Sequence, residues 1–362
     1  MPFEIHISDL KTFRACRWQW DWASPLRQKL EPDRPYLPFF LGRILHETFD
    51  AHYGAGLVWS EAFQEAVNRN IAEIQAKDSV EWEVMKDEYL EQVQLASAMV
   101  LNYHRWTELG LHKRQWWHDD NLQFVATEHE FRAPIPTRSG RASPRVFLAG
   151  RYDGVVRRLD DGTLWLWELK TSTSFSMLER SLAIDPQPTA YIYAAEHDLG
   201  EPVAGVLYTL IRKKAPTDPV TPTGKLSQAK NMDTSLEHWV ARMRQLHPEA
   251  NNGALTEMYG GHLQYLIANR SDTFVKRFAI RRNQAEMDLF LKHLHSTALD
   301  MANPVTPLYP NEGFHCNRCM FWEPCLSRRQ GYDYRALINA TYTERDVWYE
   351  REDVADASTT WS

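Results

Sequence analysis

Residues 147–174 read FLAGRYDGVVRRLDDGTLWLWELKTSTS, and this stretch decides the fold. Asp160-Asp161-Gly162-Thr163 supplies turn residues between two runs of strand composition, Val155-Val156 and Leu164-Trp165-Leu166-Trp167. The segment therefore reads as a β-hairpin. Asp153 precedes the turn and Glu168 follows it, so folding the hairpin back brings the two carboxylates toward each other. Lys170 lies two residues beyond Glu168, and the period of two in a strand puts both on one face. Two acids and an amine at one end of a hairpin make a hard, oxygen-rich site suited to Mg²⁺ or Mn²⁺. A surface ladder of salt bridges would use the same residue types, so the neighbours decide. Leu164, Leu166 and Leu169, with Trp165 and Trp167, make the second strand apolar on both faces. Charges that end a buried strand need a partner or an ion.

The chain has 362 residues, enough for one large domain or two ordinary ones. Its 43% hydrophobic content and 14 tryptophans supply a sizeable core. A net charge of −7 announces no overall basic field, but a locally basic groove is compatible with it because net charge does not fix distribution. The opening MPFEIHISDLKTF has neither a basic n-region nor an apolar h-region, and no later stretch has the length of a membrane span. A cytoplasmic protein with no membrane partner is expected. Cys16 stands alone, whereas Cys316, Cys319 and Cys325 form a C-x₂-C-x₅-C run. Without a secretion signal, this spacing favours metal ligation over disulfides. Zinc and an iron–sulfur cluster both suit four thiolates, and buried free thiols are the plain alternative. Ligation by all four would staple the two ends of the domain together.

Along the chain, residues 7–20 have helical spacing, with Ser8 as N-cap. Residues 31–38 form a proline-rich loop, and 40–52 return to a helix that carries His46. Residues 60–109 are charged, helical and low in glycine, as in an inserted helical subdomain of two helices. A strand is expected over 122–135, with Glu128 and Glu130 as spare carboxylates near the site, followed by a polar loop over 136–145. After the hairpin, residues 171–176 read as a Ser/Thr loop. A helix then runs from about Pro186 to His197, with Asp185 as N-cap and Pro186 at its first position. Gln187 and Tyr191 share a face of that helix. Further strands fall at 205–212 and 274–282, helices at about 234–246 and 283–302, and a mobile, DNA-contacting loop at 215–233. The tail from Thr341 is polar.

Taken together, these motifs resemble the RecB-like branch of the PD-(D/E)XK nucleases. The likeness is to members with a four-cysteine iron–sulfur cluster: CRISPR-associated adaptation nucleases, the AddB-type helicase–nuclease subunit and related phage exonucleases. Ser8, Leu10, Phe13 and Cys16 match the opening S-x-L-x-x-F-x-x-C, with Arg17 where the family usually has proline. Gly42 and His46 match G-x-x-x-H, and Gly150, Arg151 and Asp153 match G-R-x-D. Glu168 and Lys170 match E-x-K, Gln187 and Tyr191 match Q-x-x-x-Y, and the cysteine run closes the series.

The resemblance implies an α/β fold, a mixed central β-sheet flanked by helices, with a [4Fe-4S] cluster on Cys16, Cys316, Cys319 and Cys325. It implies a single nuclease domain over 1–335, with cluster segments at 1–30 and 305–330, a helical insertion at 60–110, a catalytic core at 122–212 and a tail at 336–362. His46, Asp153, Glu168 and the Leu169 carbonyl would hold Mg²⁺ or Mn²⁺. Lys170 would orient or deprotonate water, and Gln187 and Tyr191 would position the DNA or the nucleophile. Arg14, Arg17, Arg151 and Lys213 are candidate phosphate contacts. The implied activity is a metal-dependent DNA exonuclease acting on single strands or duplex ends, in recombination, repair, replication or phage DNA processing. CRISPR adaptation and a non-catalytic DNA-end-binding module are the alternatives. With no P-loop in the chain, unwinding would fall to a helicase partner, and an annealing or recombination protein is a further expected partner.

Overall fold

The computed structural model describes residues 3–33, 37–77, 79–137 and 139–344. The chain begins with β1 (Phe3–Ile5), α1 (Ile7–Ala15), α2 (Arg17–Ala23), β2 (Leu30–Pro32) and α3 (Leu37–Tyr53). Two long helices follow, α4 (Trp59–Lys77) and α5 (Ser79–Glu108), and then the strands β3 (Leu122–Pro136), β4 (Ala142–Arg158) and β5 (Leu164–Ser172). Next come α6 (Phe175–Ile184), α7 (Pro186–Leu199), β6 (Val203–Arg212), α8 (Leu236–Leu246), α9 (Asn252–Arg270) and β7 (Val275–Ile280). The described chain closes with α10 (Gln284–Ala302), α11 (Trp322–Arg329), α12 (Tyr334–Thr341) and β8 (Tyr342–Glu344).

The chain divides into two compact units, each discontinuous in sequence. One comprises Met1–Pro35, Pro134–Ala149 and Leu291–Ser362, and the other Tyr36–Ala133 and Gly150–Phe290. The larger unit carries the mixed sheet. β4 and β5 are antiparallel, β5 and β6 parallel, and β6 and β7 antiparallel, while β3 pairs with β4. The parallel step needs a crossover, and α6 and α7 provide it. Leu164 to Leu169 are buried without a break. Trp165, Trp167 and Leu169 pack with Ile44, Leu45 and Phe49 of α3 and with Tyr103 and Trp106 of α5. That is why the strand reads as a continuous apolar run. At about 25 cal/mol per Å², such side chains are worth roughly 1.5–3 kcal/mol each on burial.

In the smaller unit β1 runs parallel to the start of β4, Phe3 opposite Val146, and β2 pairs with β8, Leu30 opposite Glu344. Trp22, Phe321 and Ile338 form a hydrophobic core cluster in it.

Several local expectations change. The helix expected over 7–20 breaks at Cys16, whose φ of −158° and ψ of 117° are extended, and its N-cap is His6 rather than Ser8. Helix α6 starts inside the expected 171–176 loop, and α9 falls where the sequence reading assigns no element. β4 starts inside the expected 136–145 loop, and α12 and β8 run into the start of the expected tail. The rest of that tail lies outside the described residues. The 215–233 loop has fixed anchors: Asp233 pairs with Arg212 and Lys214 at 2.6 Å, and Trp239 donates to the Ser227 carbonyl. No helix among the described residues is long and apolar enough to cross a membrane.

Candidate active site

The hairpin register explains where the site forms. Paired positions run from Arg157 opposite Leu164 to Gly154 opposite Trp167, and the ladder ends there. Asp153 and Glu168 are the next residues on each strand, so they sit where the two strands part. Instead of a ladder carbonyl, the Leu169 N–H donates to Asp153 Oδ2 at 2.8 Å. The period of two holds as well: Glu168 and Lys170 share a face, with Lys170 Nζ 2.8 Å from Glu168 Oε2. Gln187 Nε2 approaches the same oxygen at 3.4 Å. The start of α7 is fixed by Asp185, whose carboxylate accepts from the Gln187 N–H, with Pro186 at the first turn. Tyr191, one turn on, packs edge-on against Phe131 and Tyr152.

His46 enters from α3, whose buried positions Leu41, Ile44, Leu45 and Phe49 share a core cluster with Trp165, Trp167 and Leu169 of β5. Its Nδ1 lies 3.2 Å from Asp153 Oδ1 and 3.8 Å from Glu128 Oε1. The three ligand atoms of His46, Glu128 and Asp153 all lie within 4.8 Å of one another, a grouping that could hold a metal ion. One nitrogen and two carboxylate oxygens form a donor set that fits Mn²⁺ or Mg²⁺. Glu168 lies deeper, bound to Lys170, and the Asp153 N–H approaches its Oε1 at 3.5 Å. Leu169 enters the site through its N–H. Of the two carboxylates left as spare, the fold selects Glu128, while Glu130 is exposed. No sequence periodicity distinguishes them; the choice depends on a local twist of β3.

The electrostatics are those of a compact charged cluster. Burial opposes the charged form of His46, but the Asp153 and Glu128 carboxylates outweigh it and raise its pKa to about 10. Asp153 is lowered: burial pushes it up, and His46, Lys170 and the Leu169 N–H more than offset that. Glu168 is pushed up to about 7 by burial and by the Asp153 charge, with Lys170 acting in the opposite direction. Lys170 is raised because Glu168 and Asp153 outweigh its burial, so its ammonium keeps its charge at neutral pH. Burial also raises Tyr191.

Three of the four basic residues expected on phosphate, Arg14, Arg17 and Arg151, have internal side-chain partners. Arg17 lies over the rings of Phe13 and Tyr309 and donates to the Pro307 carbonyl. Arg14 donates to Thr297, and Arg151 pairs with Glu128 at 2.7 Å. The Lys213 N–H donates to the Ser172 carbonyl, and burial lowers the pKa of its amine.

In the smaller unit the four cysteines are free thiols lining one cavity of about 280 Å³. The extended Cys16 between α1 and α2 turns one wall, and Cys325 on α11 forms another. Burial first, and then the other thiolates, raise the pKa of Cys319.

Fold and site define an α/β enzyme with an acid–acid–lysine centre on a parted hairpin beside a histidine-bearing helix. The family model of the PD-(D/E)XK nuclease superfamily matches residues 5–326, and the chain belongs to this superfamily. Its members are generally metal-dependent nucleases, and a nuclease of this kind acts on DNA. No curated protein sequence shows a significant match.

Proposed function

We propose that the protein is a divalent-metal-dependent DNA exonuclease of the RecB-like branch that carries a [4Fe-4S] cluster. The observation carrying the nuclease reading is the continuous cluster His46–Asp153–Glu168–Lys170, assembled where β4 and β5 part. His46 and Asp153, with Glu168 and the Leu169 carbonyl, would hold the ion. A divalent ion in such a site polarises a phosphate oxygen and lowers the pKa of bound water. Asp153 is anchored by the Leu169 N–H, so its free oxygen is preorganised toward His46. Lys170, held charged against Glu168, orients water and offsets charge that develops on the phosphate. Gln187 steadies the Glu168 oxygen that Lys170 uses.

The cluster reading rests on the four converging thiols. Four cysteine thiolates suit zinc or an iron–sulfur cluster, and the family motifs in the sequence favour the cluster. Exonucleolytic action and the RecB-like placement rest on the family motifs in the sequence.

The test is digestion of end-labelled linear DNA, with closed circular DNA as control, in Mg²⁺ or Mn²⁺. Loss of linear DNA from its ends with the circle intact supports the reading. Full activity in excess chelator would remove the metal mechanism, and cutting of the circle would remove the exonuclease. The absorption spectrum of the purified protein tests the cluster: a broad visible band supports it, and a colourless, zinc-loaded protein refutes it.

A further inference from the structure

We propose that Asp50 and Thr127 are positioning residues that deliver Glu128 to the metal centre as a ligand, an inference that rests on the metallonuclease reading of that centre. Successive side chains of a regular strand point to opposite faces. Thr127 and Glu128 are successive residues of β3, yet both reach α3. Thr127 Oγ1 donates to Asp50 Oδ1 at 2.5 Å, and Glu128 Oε1 lies 3.8 Å from His46 Nδ1. The backbone achieves this through a φ of +46° at Glu128, in the left-handed region.

Among the described residues the other non-glycine with positive φ is Lys29, in the loop after α2. Glu128 is in the interior of a strand. Glycine adopts this conformation freely and glutamate does not. The position therefore bears a strained backbone together with a long carboxylate, and the carboxylate is what glycine would lose.

α3 is built to receive the twisted strand. His46, Asp50 and Gly54 follow one another at four-residue spacing and share a face. A Cβ on Gly54 would collide with Thr127 Oγ1, so glycine there lets β3 lie against the helix. Asp50 then grips Thr127, and the next residue turns its carboxylate to His46. Arg151 Nε holds the second oxygen of Glu128 at 2.7 Å, which fixes the carboxylate orientation. The same helix face thus sets both a nitrogen donor and, through the strand, an oxygen donor.

The test is Mn²⁺ binding to the DNA-free protein, followed by electron paramagnetic resonance, with folding checked by circular dichroism. Glu128→Gln and Thr127→Val should each weaken Mn²⁺ by about tenfold or more, as expected when a ligand or its support is removed. Thr127→Ser keeps the hydroxyl and should bind within about twofold of wild type on the same grounds. Glu128→Gly should melt at or above the wild-type temperature while binding Mn²⁺ as weakly as Glu128→Gln. A purely structural role for this turn would leave its Mn²⁺ affinity unchanged. If Thr127→Val does not fold, Asp50→Ala makes the same test from the helix side. Wild-type affinity in Glu128→Gln, or in the folded positioning variant, overturns the proposal. Asp153→Asn separates the two readings. Its loss of Mn²⁺ binding while Glu128→Gln binds normally sinks this inference alone, whereas normal binding by Asp153→Asn sinks the metal centre itself.

Discussion

Replacing Lys170 with methionine keeps most of the side-chain volume and removes the charge that faces Glu168 at 2.8 Å. Two effects follow with different pH dependence. Cleavage should fall by roughly 10²–10⁴-fold at every pH, the range for loss of a positioned proton-handling or charge-stabilising group. Stability should respond through Glu168, which burial and Asp153 push up to about 7 while Lys170 holds it down. In the variant its pKa rises further, so the folded protein holds that proton to higher pH. Near pH 6 Glu168 carries a proton in both proteins, and the loss is confined to packing and one hydrogen bond. Above pH 7 the wild-type glutamate ionises against the lysine, whereas the variant must keep a proton or bury an unpaired charge. Each pH unit of that mismatch costs about 1.4 kcal/mol, so the gap should grow to about 3 kcal/mol by pH 9. This agrees with the roughly 3–5 kcal/mol typical of a broken buried pair. Urea unfolding between pH 6 and 9 reads the stability, and digestion of end-labelled DNA reads the activity. A Lys170→Met protein that binds Mn²⁺ and cleaves at the wild-type rate would refute the assignment. A stability gap independent of pH would refute the coupling to Glu168.

Three further outcomes test other parts of the structure. Glu237 on α8 is buried with one carboxylate oxygen unpartnered, and burial pushes its pKa from the ordinary carboxylate range up to about 7. An acid raised in this way costs nothing below its unfolded pKa, destabilises as pH climbs from the unfolded to the folded pKa, and adds no further cost above it. Glu237→Gln should therefore match wild type near pH 4 and exceed it by about 3 kcal/mol at pH 8; parallel pH profiles in urea would exclude this account. Arg277 is fully buried and joins Asp119 at 2.6 Å, Tyr103 at 2.5 Å and Thr209 at 2.9 Å. Arg277→Met should cost about 3–5 kcal/mol by leaving Asp119 without its cation, and calorimetry showing less than about 1 kcal/mol would contradict this. Cys16→Ala should bleach the visible colour and lower the melting temperature, by analogy with the roughly 4–5 kcal/mol of a very long covalent loop. A coloured, equally stable Cys16→Ala protein would remove Cys16 from the ligand set.

Some of this protein is set by local sequence. Strand β5 is legible because Leu164 to Trp167 form an unbroken apolar run, and the turn because Asp161 and Gly162 have local reasons to be there. Gly162 takes a φ of +72°, and Asp161 accepts from the Thr163 N–H. The cap and proline of α7 announce themselves in the same way, and period two places Lys170 beside Glu168. These features depend on neighbours in the chain, and composition carries them.

Other features depend on partners far away in sequence. The break at Cys16 interrupts a stretch whose spacing is helical, because the extended residue turns its thiol toward Cys316, Cys319 and Cys325. The basic residues that suggested phosphate contacts, among them Arg17 and Arg151, are occupied by Tyr309 and Glu128. Glu128 and Glu130 look equivalent in the chain, and only the approach of α3 separates them. Asp50 draws Thr127 in, the backbone at Glu128 turns left-handed, and one of two similar carboxylates arrives beside His46. Sequence specifies the charged end of the hairpin because strand periodicity is local. Which further side chain completes the centre is decided by tertiary packing, because a strained φ is held by contacts that exist only once helix and strand have met.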